Sequence, residues 1–134
     1  MDYNLAREIR FFSENEVSDA QRIADRILHN VELNHWVLYS SYLYALLILC
    51  IAHKKINNGE MPIVYTSDIH EILNLPINEV KEFIMSTSMV HFPQVTYNKS
   101  HQMIQDIMKT RPKESESILE TAVEYFNKYT AVFE

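Results

Sequence analysis

The chain has 134 residues, 47% of them hydrophobic, enough to bury one core of ordinary domain size. One glycine and four prolines are too few for the turns of a sheet-rich fold, so helices joined by short links are expected. Twelve basic and 18 acidic residues give a net charge of −6, which opposes nonspecific attraction to nucleic acid.

Residues 4–13 place Leu5, Ile9 and Phe12 on one face and predict a short first helix. A polar break at Ser13–Glu16 follows. Ser18 with Gln21 three residues later has the form of a capping box, with Val17 as the stapling residue. Ala20, Ile23, Ala24, Ile27, Leu28 and Val31 then recur at helical spacing and predict a second, amphipathic helix.

Val37 to Ala52 is almost continuously apolar, between Trp36 and His53-Lys54-Lys55. The run is shorter than the roughly 20 residues a bilayer needs. Its amphipathic neighbours need something apolar to cover, so a central core helix over His35–Lys55 is expected, not a membrane span. Asn57-Asn58-Gly59 ends it. Ile63-Val64-Tyr65 is an extended stretch too isolated to build a sheet. Thr66 or Ser67 is expected to cap a short helix bearing Ile69, Ile72 and Leu73. Pro76 opens another, with Val80, Phe83 and Ile84 inward. Phe92-Pro93 breaks the chain, Asn98 caps a helix with Met103, Ile104 and Ile107, and Pro112 starts the last one. Its stripe is Ile118, Leu119, Ala122, Val123, Phe126 and Phe133, with Tyr125 and Tyr129 beside it.

No catalytic signature stands out. His29-x-x-Glu32-x-x-His35 has metal-ligand spacing, but no second Glu-x-x-His completes a di-iron set, and Asn30, Asn34 and Trp36 suggest a turn. Asp68 and His70 lack a serine on a glycine-flanked elbow. Cys50, the only cysteine, lies in the apolar run, where a thiol is inert. An unpaired cysteine and the absence of an early apolar run argue for an intracellular protein, cytoplasmic or nuclear. Ser67 to Thr87 has a helix-turn-helix outline, but its second helix offers Asn78, Glu79, Lys81 and Glu82, a poor set for phosphates and base edges.

Ala24-Asp25-Arg26-Ile27-Leu28, the Leu49-Cys50-Ile51-Ala52-His53-Lys54 helix ending, and the helix–turn–helix order from Thr66 to Ile84 together resemble a cyclin box. Arg22-Ile23-Ala24-Asp25-Arg26 is also similar to the related repeat of transcription factor IIB. The resemblance implies an all-α bundle of six or seven helices around one buried helix. Within the single domain 1–134 it implies a box over about 4–110 and an added helix over about 113–132. It further implies a non-catalytic regulatory subunit engaging a cyclin-dependent kinase, with Lys54, Lys55 and Glu82 on the partner-binding surface. Where the family carries its contact glutamate stands Ile84, with Glu82 two residues earlier. The alternatives are a helical adaptor of viral or transcription-complex origin and, third, a DNA-binding domain. No metal, cofactor, nucleic acid or membrane partner is expected.

Overall fold

A computed structural model describes residues 3–133, the side chain of Phe133 excepted. It contains six helices and, among the described residues, no strand: α1 (Glu16–Ile27), α2 (His35–Asn57), α3 (Thr66–Leu73), α4 (Ile77–His91), α5 (Gln94–Met108) and α6 (Pro112–Phe133). α2 is the axis of the fold, and each of the other five helices packs against it. From Leu43 to His53 every residue of α2 is buried. By length and composition α2 passes as a membrane span, but 67% of its most apolar window is buried inside the protein. Its uniform hydrophobicity is what a helix covered on all sides requires.

The expected first helix does not form. Residues 3–15 run as a non-helical arm that still buries Leu5, Ala6 and Ile9. Tertiary partners take the hydrogen bonds that a helix would have made. Leu5 N–H donates to the Val64 carbonyl at 2.8 Å, and the Asn4 side chain accepts from Ala6 N–H and Val64 N–H. Arg10 gives both its backbone N–H and its guanidinium to Asp19. Phe12 then adopts a left-handed conformation, φ 63°, which no helix accommodates.

Helix starts differ from expectation for local reasons. α1 begins two residues ahead of Ser18, because the Glu16 side chain turns into the core and Val17 is buried within the first turn. Ser18 does not cap; its hydroxyl donates to the Asn15 carbonyl. α3 begins at Thr66, with Tyr65 N–H donating to Asp68 Oδ2. α5 begins directly after Pro93, not at Asn98. The proline holds φ at −59° and leaves Phe92 extended, a ready helix start. Asn98 instead accepts from the Gln94 side chain one turn earlier. Ile63–Tyr65 is extended and unpaired as a sheet, with Val64 buried beneath the arm.

The remaining stripes fall inward as their spacing requires. Ile23, Ile27, Ile69, Leu73, Val80, Ile84, Met103, Ile104, Ile107, Ala122 and Phe126 join one continuous core with α2. Phe133, expected in the last stripe, lies outside the described side chains.

One polar node sits in this core. Glu16 Oε2 accepts from His53 Nε2 at 2.7 Å and from Thr96 Oγ1 at 2.7 Å, while Oε1 accepts from Phe12 N–H at 2.8 Å. Glu16 and His53 are both fully buried, and Phe11, Phe12 and Phe92 stand around the imidazole at 5.5–5.6 Å between ring centroids. Burial alone would raise the Glu16 carboxyl. The hydrogen bonds from His53, Phe12 and Thr96 outweigh it and hold the pKa below its ordinary value of 4.5. The node ties the arm, α1, α2 and α5 at one point.

Candidate functional site

The chemistry-bearing residues singled out from the sequence do not converge. Lys54 is exposed at the end of α2, its Nζ 5.6 Å from the centre of the Phe83 ring. Glu82 is exposed on α4. Lys55 is committed to structure: its Nζ donates to the Ile63 carbonyl at 2.6 Å and to Asp68 at 2.8 Å. That bond and the one from Tyr65 N–H occupy Asp68, while His70 packs on Phe126, so the pair forms no triad. His35 pairs with Glu114 at 2.8 Å. Among the described residues no group of three His, Cys, Asp or Glu side chains is placed to hold a metal ion. Burial pushes the Cys50 thiol far above its ordinary range, so it carries no thiolate chemistry.

What the structure does build is a groove along α6. The inner face of this helix is fixed by Ile118, Ala122, Phe126 and Thr130, all buried. Tyr44 of α2 donates from its hydroxyl to the Ala122 carbonyl at 2.6 Å, and its ring meets Phe126 at 5.8 Å. With that face held, Glu120, Thr121, Glu124, Tyr125, Lys128, Tyr129 and Val132 form an adjacent stripe running down the helix. At 1.5 Å per residue the stripe is about 18 Å long.

The opposite wall comes from the end of α1 and the loop into α2. That loop turns through Asn30, at φ 64°. Asn is among the few residues that adopt this conformation readily. Asn34 then caps α2, its side chain accepting from Val37 N–H at 3.0 Å. The cap fixes the first turn of α2 and with it Trp36, whose ring packs against His35 at 4.7 Å.

Tyr125 divides the groove into two depressions. The first, about 270 Å³, lies between Asn34, Trp36 and Val37 on one side and Glu120, Thr121, Glu124 and Tyr125 on the other. The second, about 370 Å³, is lined by Arg26, Ile27, His29 and Val31 against Tyr125, Lys128, Tyr129 and Val132. The first carries two carboxylates and no basic side chain; the second carries Arg26, Lys128 and His29 and no carboxylate. Lys128 also lies 3.6 Å from Glu124, at the boundary between them, and over the Tyr125 ring. Arg26 is paired with Glu8 across the surface.

Large apolar groups of this groove stand in water: Val132 is 80% exposed and Trp36 39%. Trp, Tyr and Arg are the residue types that dominate binding energy at protein interfaces, and Trp36, Tyr125, Tyr129 and Arg26 meet here. The sequence reading missed this site. Trp36 was read as a flank of the core helix and Tyr125 and Tyr129 as neighbours of a stripe, since nothing in local spacing says that the 28–34 loop lies alongside α6.

A family model described as Type IV secretory system Conjugative DNA transfer matches residues 1–132. No curated protein and no solved structure matches the chain. The match overturns the cyclin-box resemblance, and with it the kinase-binding regulatory subunit and the adaptor and transcription-factor alternatives. The residues that carried the likeness have plainer roles. Ala24 and Ile27 are core positions of α1, Arg26 pairs with Glu8, and Leu49 to His53 is the buried end of α2. The expectation that nucleic acid has no part is corrected too, because the matching family is one of DNA transfer. With the match covering nearly its whole length, the chain belongs to the type IV secretory system conjugative DNA transfer family.

Proposed function

We propose that this chain is a helical docking module of a conjugative DNA transfer apparatus, holding a protein component of that system in the groove between α6 and the 28–34 loop. The observation that carries the reading is the concentration of Trp36, Tyr125, Tyr129 and Arg26 around a groove whose apolar lining residue Val132 remains in water. Covering one such side chain gains roughly 1.5–3 kcal/mol, so a partner that fills both depressions has a sufficient driving force. Membership of the family supplies the process, and the groove supplies the contact. The free, fully buried Cys50 supports an intracellular location for the module.

The test is plasmid transfer from donor to recipient cells carrying Trp36→Ala, and separately Tyr125→Ala, in the intact protein. Both side chains lie partly in water, so helicity and thermal midpoint should stay close to wild type. Transfer frequency should fall at least about tenfold for each, the loss typical of removing a central aromatic anchor. Normal transfer by both folded variants would refute the docking role of the groove.

A further inference from the structure

The two depressions are not equivalent, and their difference constrains what lies in them. Along α6 the groove reads Glu120, Glu124, then Lys128, with Arg26 and His29 facing the last of these from the end of α1. The charge therefore runs from negative to positive over about 12 Å. No sheet edge borders the groove among the described residues, so an extended partner would find no ladder for its backbone polar groups. A helix satisfies its own backbone and needs only side-chain contacts.

Helices have a charge preference of their own. Acidic residues favour the first turn and basic residues the last, because each complements the local end of the helix dipole. Within the groove, Glu120 and Glu124 come ahead of Lys128 along α6. A second helix with the same preference meets opposite charges at both ends only if it lies head to tail against α6.

We propose, building on the docking role above, that the groove takes an amphipathic helix of the partner, about three turns long, running antiparallel to α6. Its acidic first turn lies at Arg26 and Lys128, and its basic last turn at Glu120 and Glu124. Apolar side chains one turn apart enter the two depressions on either side of Tyr125. The existing contacts yield at low cost. Arg26–Glu8 and Lys128–Glu124 are exposed pairs, worth little individually, and a partner carboxylate can replace the internal one. Charge complementarity of this kind sets orientation and register more than raw affinity.

The test uses two synthetic peptides of about 14 residues with identical composition and the same Leu/Phe stripe. One has Asp and Glu in its first turn and Lys and Arg in its last; the other has these charges exchanged. Both are stapled on the face away from the stripe, so that equal helicity is imposed before binding. Trp36 is the only tryptophan and lies in the groove, so its fluorescence reads binding to the full chain directly. The first peptide should bind about tenfold more tightly than the second, the sum of a few exposed charge pairs turned from attractive to repulsive. The triple variant Glu120→Lys, Glu124→Lys, Lys128→Glu should invert the preference. A nitroxide at the peptide's N-terminus should broaden the methyl signals of Val132, and one at its C-terminus those of Thr121. Equal affinities, the opposite pattern of broadening, or no binding by either peptide would overturn the proposal. Loss of transfer by Trp36→Ala alongside equal peptide affinities would remove the orientation and leave the docking role. Normal transfer alongside a clear peptide preference would do the reverse.

Discussion

Replacing Glu16 by alanine should destabilise the fold by about 3–5 kcal/mol, the cost typical of breaking a buried network built on one carboxylate. The loss has three parts: His53 Nε2–H, Thr96 Oγ–H and Phe12 N–H all donate to this carboxylate, and all would be left without it. An orphaned buried donor costs roughly 1–3 kcal/mol before relaxation, so the sum exceeds the expected value unless water enters the space. Domains of this size are stable by only about 5–15 kcal/mol, so the variant should sit near its unfolding transition. Glu16→Gln keeps the shape but turns one acceptor into a donor, and should cost about 1–3 kcal/mol. Urea titration followed by circular dichroism measures both. The same contacts carry a pH signature. Because the folded pKa of Glu16 lies below its ordinary value of 4.5, its contribution is complete above that value and is lost as pH falls through the folded pKa. Asp19, held down chiefly by Arg10, adds a separate acid loss of the same sign. The difference between wild type and Glu16→Gln should therefore be constant at neutral pH and shrink below about pH 4.5. A Glu16→Ala variant within about 1 kcal/mol of wild type, or a Gln variant whose deficit does not shrink in acid, would show that the node does not hold the arm and helices together as described.

Three further outcomes follow from the fold. Tyr44→Phe removes the hydroxyl that reaches the Ala122 carbonyl and should cost about 1–2 kcal/mol by urea titration, without changing helix content. Gly59→Ala should destabilise by roughly 1 kcal/mol. The residue sits at φ 76°, yet a Cβ there would meet no atom within 4 Å, so the cost is backbone conformation alone. Cys50 should resist thiol-modifying reagents in the native state and react at once in denaturant, since it is fully buried with its thiol held protonated; native labelling at the rate of a free thiol would contradict its place in the core.

The helices that were legible in the sequence are those whose stability is local or periodic. α2 announced itself by an apolar run that nothing but complete burial explains, and α4 and α6 by prolines at their starts followed by stripes. The arm was misread because its apolar residues share helical spacing, so periodicity could not separate a helix from a buried, turn-rich strap. Its true partners, Val64 and Asp19, are distant in sequence for the first and unmarked for the second. Glu16 was read as part of a polar break because an acidic residue before a helix is ordinarily exposed. Only the position of His53, 37 residues further along the chain, makes its burial favourable.

The groove lay beyond sequence reading for a related reason, and so did the family. A docking surface is made where two elements happen to lie side by side, and its residues obey no common period. On α6 the lining stripe is interleaved with the core stripe, so Tyr125 and Tyr129 read as core neighbours. Trp36 gained its meaning only from Asn34, whose cap fixes the turn that aims it across at α6. The cyclin likeness rested on the opposite kind of signal: short strings such as Ala24–Leu28 and Leu49–Lys54 that any amphipathic helix and any core helix ending in lysine will reproduce. These strings reflect demands that packing makes on all helical bundles, which is why they agreed with the fold and misdirected the function. A residue tells more about function when the fold leaves it without a structural use, and by that measure Leu33, Trp36 and Val132, apolar and in water, speak more clearly than Lys54 or Glu82.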